Sequence, residues 1–261
     1  MRKLILCSVV FLLSPVLQAD DAFPGRQTYV NVAVIEMEDL HKKFDQVAII
    51  DVRSEYEYKT LHIDNAINVP LSSMKFNKQI KNLRSMGNKP IIFYCNGHTC
   101  MKSYKAAVKA ESMSIKDVFA FDTGIFDWAS KYPNKTMLLG KKLGDASKLI
   151  GTDEFKKHQL PPSQFKNMMD INKKSVRVID VRDRFQRSGS SLFSGNEEWI
   201  PLDQENKLTA AIKKAKKDKK TLLIYDEVGK QVRWLQYRIE QLKHKNYYFM
   251  KGGAKAYLDR I

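Results

Sequence analysis

The sequence predicts an α/β protein built as two tandem domains, each a parallel sheet flanked by helices. Three observations carry this. The chain has 261 residues, more than one average domain needs. Short apolar runs alternate with segments of helical spacing, which is the signature of strand–helix–strand units. The same landmarks then recur in the same order. Val178-Ile179-Asp180-Val181-Arg182 repeats Ile49-Ile50-Asp51-Val52-Arg53, and Trp199-Ile200-Pro201 echoes Asn68-Val69-Pro70. Thr221 to Asp226 repeats Pro90 to Cys95, and Gly252-Gly253 repeats Thr123-Gly124. A near-constant offset across four landmarks means a duplicated domain. The expected divisions are a leader over 1–19, a first domain over 27–135 and a second over 150–261, joined where glycine and lysine cluster near 134–155.

In chain order, residues 20–30 read as a poorly ordered lead-in, and 31–35 begin the folded part. Met37, Leu40 and Phe44 have helical spacing. Val47 to Arg53 is a strand ending in charged residues. Ser54 and Glu57 have the spacing of a capping box for the next short helix. Leu61 to Pro70 reads as one strand halted by proline, and about Lys75 to Met86 as a lysine-rich helix. Pro90-Ile91-Ile92-Phe93-Tyr94 is an apolar run of the kind a buried parallel strand needs. Met101 to Met113 reads as an amphipathic helix with Tyr104, Ala107, Val108 and Ala110 on one face. Val118 to Phe121 is another strand, followed by Gly124 and a helix carrying Phe126 and Trp128.

Between the Pro90 strand and the Met101 helix lies the loop Cys95-Asn96-Gly97-His98-Thr99-Cys100. Ligands in parallel sheets bind outside the carboxyl ends of the strands, and Cys95 stands at such an end. Loop N–H groups converging at a helix N-terminus favour an anion, so they lower a thiol pKa from about 8.5. The expected use of Cys95 is as a nucleophile or a sulfur carrier; the alternative is a buried, inert cysteine.

The N-terminus reads as a cleaved secretory signal. Arg2 and Lys3 precede an apolar Leu4 to Val16, and Leu17-Gln18-Ala19 resembles a cleavage site. Cys7 lies too early to be a lipid-attachment cysteine. An uncleaved anchor is the alternative, and no later stretch has the roughly 20 apolar residues of a span. The expected location is periplasmic or secreted. Removing Arg2 and Lys3 lowers the formal charge from +16 to +14. Such a charge suits nucleic acid, but export argues against that partner. Lys213, Lys214, Lys216, Lys217, Lys219 and Lys220 form the densest cluster and read as a solvated helix end. After cleavage only Cys95 and Cys100 remain, too close in sequence to act as a staple. Five histidines show no metal-ligand spacing, so neither a metal nor a cofactor is expected.

Together these residues resemble the rhodanese family of sulfurtransferases in its tandem form. The likeness rests on Ile50-Asp51-Val52-Arg53, His62-Ile63 with Ala66 and Val69-Pro70, Tyr94-Cys95, and Gly124 with Trp128. It covers nearly the whole mature chain. The resemblance implies that a Cys95 thiolate takes a sulfane sulfur from a small anionic donor such as thiosulfate. The persulfide would sit in a cradle formed by Asn96, Gly97, His98, Thr99 and Cys100, and pass its sulfur to cyanide or a protein thiol. Many members carry arginine five residues after the cysteine; here that residue is Cys100, leaving Lys102 or Arg53 to meet the donor. Related phosphatases have arginine six residues on, where this chain has Met101, which disfavours phosphate-ester hydrolysis. His98 is a proton donor or an exposed spacer, Thr99 a helix cap, and His62 structural. Asp51 and Arg53 read as an ion pair that fixes the loops. Asp226 at the cysteine position makes the second domain degenerate, a packing partner or a wall of the cleft.

Two other classes remain. A Cys95/Cys100 pair could cycle between dithiol and disulfide, or Cys100 could resolve the persulfide. A non-catalytic module could use the second domain and the basic surface to bind a partner protein.

Overall fold

The structure is a computed structural model and describes residues 22–188 and 191–259. The leader expected over 1–19 lies outside the described residues.

The lead-in is more ordered than its sequence predicts. Its helix α1 (Pro24–Thr28) starts on a proline, whose fixed φ suits a first helical position. Arg26 anchors the helix to Asp122 at 2.8 Å. Helix α2 (Met37–Lys42) buries Leu40, and strand β1 (Ala48–Asp51) follows. Helix α3 (Glu55–Thr60) begins with the expected capping box: Ser54 Oγ accepts the Glu57 N–H, and Glu57 accepts the Ser54 N–H.

The single strand expected over 61–70 is two short ones, β2 (Leu61–Ile63) and β3 (Ile67–Asn68). Asn65 at φ 61° turns the chain between them, a conformation asparagine tolerates better than most residues. Then come α4 (Phe76–Ser85), β4 (Ile91–Tyr94), α5 (Lys102–Glu111), β5 (Val118–Phe121) and α6 (Gly124–Lys131). In α5 the buried face is Tyr104, Ala106, Ala107 and Ala110, while Val108 is exposed.

The main sheet of this half is parallel, in the order β3-β1-β4-β5. Every residue of β4 is buried, as a strand covered on both faces requires. The region read as a linker instead forms β6 (Thr136–Leu138) and β7 (Lys141–Lys142). They pair antiparallel with each other, and β6 pairs antiparallel with β2.

The second half contains α7 (Thr152–Lys157), β8 (Gln159–Leu160), α8 (Pro162–Ile171), β9 (Val176–Asp180), α9 (Arg184–Arg187) and β10 (Glu198–Trp199). It continues with α10 (Glu205–Lys217), β11 (Thr221–Tyr225), α11 (Val232–Gln241), β12 (Tyr247–Met250) and α12 (Gly253–Leu258). Its parallel sheet has the order β10-β9-β11-β12-β8. Strand for strand this is the first sheet again. The counterpart of β8 is reduced there to a single parallel bridge from Val34 to Ala120.

The halves pack directly. Trp128, Ile125 and Leu61 share one hydrophobic core with Trp234, Leu235 and Tyr237. Phe126 stacks on Trp234 with ring centroids 5.2 Å apart.

Candidate active site

The floor of the site is a buried polar layer at the carboxyl ends of β1 and β4. Arg53 Nε and Nη2 donate to the Asp51 carboxylate, Nη2 at 2.5 Å, and both side chains are fully buried. Tyr94 Oη donates to Asp51 at 2.7 Å and accepts the Ile63 N–H. Arg53 Nη2 also reaches the Leu61 carbonyl. Burial alone would lower the guanidinium pKa, but the Asp51 charge and hydrogen bonds outweigh it and raise it. Burial, then Asp51, pushes the Tyr94 hydroxyl well above its ordinary range. A buried pair so fully hydrogen-bonded costs little while complete and a great deal when broken.

This layer orients the loop. Arg53 Nη1 donates to Asn96 Oδ1 at 3.2 Å, and Asn96 Nδ2 donates to Glu57 at 3.1 Å. Burial would raise the Glu57 carboxyl, but Arg53, Ser54, Lys102 and Asn96 bring it below the usual range. The loop also rests on Gly124. A Cβ there would lie 2.4 Å from the Gly97 nitrogen, and φ is +74°. Only glycine permits that approach. The Ile125 N–H donates to the Cys95 carbonyl at 3.1 Å and fixes the loop's first residue.

Cys95 is 1% exposed. It is joined to Cys100 by a disulfide with the Cα atoms 6.4 Å apart. Cys100 is partly exposed and lies on the wall of a cleft between the two halves, about 750 Å³ in volume. From the first half the cleft takes Asn96 to Cys100, Lys102 and Phe126. From the second it takes Lys156, Gly229, Lys230, Arg233 and Trp234. Arg233 lies over the Phe126 ring at 4.3 Å and donates to the Ile150 carbonyl. Its Nε is buried with no hydrogen-bond partner among the described residues. Burial lowers its pKa. The cleft wall holds Arg233, Lys102, Lys156 and Lys230 against one carboxylate, Asp127, which meets His98, so its cations outnumber its acids and favour an anion.

The structure therefore brings Cys95, Asn96, Gly97, His98, Thr99, Cys100 and Lys102 together. Arg53 needs a correction: it is committed to Asp51, Leu61 and Asn96 behind the loop, so it positions the loop and does not face the cleft. Thr99 also differs from its expected part. It is exposed, and the N-cap of α5 is Met101, with no side-chain cap. His98 Nε2 meets Asp127 at 2.9 Å, and its ring packs on Phe23. His62 Nδ1 bonds the Tyr58 carbonyl, and burial lowers its pKa, as a structural histidine requires.

Sequence reasoning missed Glu57 as a loop anchor and Arg233, Trp234, Lys230 and Lys156 as cleft residues. The repeat held the signal for Arg233. The offset between Cys95 and Asp226 maps Lys102 onto Arg233, so the duplicated position supplies the opposing cation.

Among the described residues no cluster of His, Cys, Asp or Glu could hold a metal ion, and no helix is long and apolar enough to cross a membrane. The fold and the site define a two-domain α/β protein with a cysteine loop at the carboxyl end of its first sheet. The rhodanese-like domain family matches residues 36–131 and 161–260, and the chain belongs to that family in tandem form.

Among curated relatives, the tRNA uridine(34) hydroxylase of Protochlamydia amoebophila (strain UWE25) is 28% identical over 116 residues, 43% of this chain and 36% of that protein. The enzyme of the same name from Buchnera aphidicola subsp. Baizongia pistaciae is 33% identical over 84 residues, 31% of this chain and 26% of that protein. The chain thus spans about a third or less of these relatives. Among solved structures, the BH2092 protein from Bacillus halodurans overlaps 50% of this chain and 95% of its own at 20% identity, TM-score 0.37. A thiosulfate sulfurtransferase from Pseudomonas aeruginosa overlaps 88% of this chain and 45% of its own at 14% identity, TM-score 0.36. The family assignment rests on the sequence match.

Proposed function

We propose that the protein is a sulfurtransferase in which Cys95 carries the sulfur. The Cys95 thiolate attacks the outer sulfur of a thiosulfate-like donor, sulfite leaves, and a persulfide remains. The observation that carries this reading is the position of Cys95. It follows β4 directly, at the head of a loop that lines a cleft with Lys102, Lys156, Lys230 and Arg233. The cations attract the anionic donor, and the loop N–H groups stabilise the charged sulfur. The acceptor is a small nucleophile or a protein thiol. The second domain has no thiol at Asp226 and serves as the far wall of the cleft.

The disulfide favours a second reading, a thiol–disulfide redox protein using Cys95 and Cys100. Intact mass separates the two. Reduced Cys100→Ser protein incubated with thiosulfate gains one sulfur atom under the first reading, removed by cyanide and absent when Cys95 is also changed to Ser. It remains unmodified under the second.

The N-terminal segment supports export, and the mature protein is proposed to be periplasmic or secreted. The curated relatives are named for a tRNA substrate, but export removes this chain from that partner. An N-terminus beginning after Ala19 in protein recovered from the cell envelope tests this.

A further inference from the structure

We propose that the same site has a second activity: Cys100 resolves the Cys95 persulfide, releasing inorganic sulfide and leaving the Cys95–Cys100 disulfide. This rests on the reading of Cys95 as sulfur carrier and goes beyond it by naming the acceptor thiol and the product.

Three features point to it. The Cα atoms are 6.4 Å apart, inside the range of about 4.4–6.8 Å that a disulfide spans without backbone movement. That spacing is held by the backbone. The Cys100 N–H donates to the Gly97 carbonyl at 2.8 Å, and the Cys95 carbonyl accepts from Ile125. Second, the two thiols differ in access. Cys95 is almost wholly buried, whereas Cys100 lines the cleft. An acceptor entering the cleft meets Cys100 before Cys95, and the nearest acceptor for a Cys95 persulfide is Cys100 itself. Third, the duplicated domain has Asp226 at the first position and Gln231 at the second, so both thiols are absent from it together.

The chemistry balances without an outside oxidant. The Cys100 sulfur attacks Cys95 Sγ, and its proton passes to the terminal sulfur. The Cys95 Sγ–S bond breaks, and hydrosulfide leaves with that bond's electron pair. The sulfane sulfur is reduced, and the two cysteines are oxidised to the disulfide. A dithiol reductant then restores both thiols and is itself oxidised to a disulfide. Over a full cycle, thiosulfate and a dithiol give sulfite, hydrosulfide and a disulfide.

The test uses the mature full-length protein, reduced, freed of reductant and held without oxygen. One equivalent of thiosulfate is added. Intact mass, alkylation of free thiols and released sulfide are then read. Wild type is expected to lose two hydrogens, release one sulfide per chain and leave neither cysteine open to alkylation. Cys100→Ser is expected to gain one sulfur atom and release no sulfide. A wild-type persulfide that persists with Cys100 still open to alkylation would overturn the inference. So would equal sulfide release from Cys100→Ser. If Cys100→Ser takes up no sulfur at all, the sulfur-carrying role of Cys95 fails first, and this inference with it.

Discussion

Asp226 occupies in the second domain the place of Cys95 in the first, and its carboxylate fills its own loop. It accepts the N–H groups of Gln231 at 2.6 Å, Val232 at 3.0 Å and Gly229. Burial pushes its carboxyl up, and the backbone N–H groups pull it part of the way back. The degenerate domain thus keeps the anion-accepting loop of its duplicate and satisfies it internally. Asp226→Asn places an amide NH₂ against N–H donors and leaves at least one buried donor without a partner. Its expected cost is about 1–3 kcal/mol, read as a lower midpoint in denaturant unfolding. An unchanged midpoint would show that these contacts contribute nothing.

Gly124 offers a sharper contrast, because another left-handed glycine serves as its control. At Gly140, φ is +78° and nothing lies within 4 Å of an added Cβ. Gly140→Ala therefore carries only the backbone penalty, about 1–2 kcal/mol. Gly124→Ala adds collision with the Gly97 and Asn96 backbone, and overpacking of this kind costs about 1–3 kcal/mol more. It also displaces the Cys95 loop. Gly124→Ala is expected to abolish sulfur uptake and to lower the thermal midpoint further than Gly140→Ala. Equal midpoints and retained uptake would show that the loop does not depend on that approach.

What the sequence made legible follows from local signals. The apolar run ending in Tyr94 could only be a covered strand, and Ser54 with Glu57 spelled its cap. The repeat gave the second domain its strands. The rest depended on contacts far apart in sequence. The Asp51–Arg53 ion pair was legible two residues apart, but nothing local says that the guanidinium also reaches Asn96 and the Leu61 carbonyl and so stays behind the loop. Nothing near Leu61 says that it pairs with Leu138 in a separate antiparallel sheet. Lys156 and Trp234 become cleft residues only once the two halves pack.

Glu57 ties the loop to pH. Its folded-state pKa lies below the ordinary value, so protonation favours the unfolded chain. The stability it contributes is present above its unfolded pKa, about 4.3. That stability is lost as pH falls through the depressed folded value. Protonation weakens its contacts with Asn96 and with the Ser54 cap. Glu57→Gln is expected to lower stability near neutral pH and to flatten its decline on acidification. The check is the thermal midpoint followed from neutral pH into the acid range in both proteins. Parallel curves would mean that Glu57 titrates alike in the folded and unfolded chain.

Arg233 and Lys102 stand at duplicated positions and face one cleft from opposite halves. On the proposed sulfurtransferase reading, both would act on the binding of an anionic donor and not on the breaking of its bond. Losing one charge-assisted hydrogen bond costs about 1.5 kcal/mol at the low end, or roughly a tenfold change in affinity. Arg233→Ala is therefore expected to raise KM for thiosulfate about tenfold with kcat little changed. Arg233→Lys should recover only part of this, because a compact ammonium on a flexible stem cannot reproduce a guanidinium fixed over Phe126. Added salt should raise KM in wild type more than in Arg233→Ala, since screening acts on a charge the variant lacks. A fall in kcat at constant KM would instead place Arg233 at the reacting sulfur. It would make the second domain a participant in the chemistry as well as the wall that gathers its substrate.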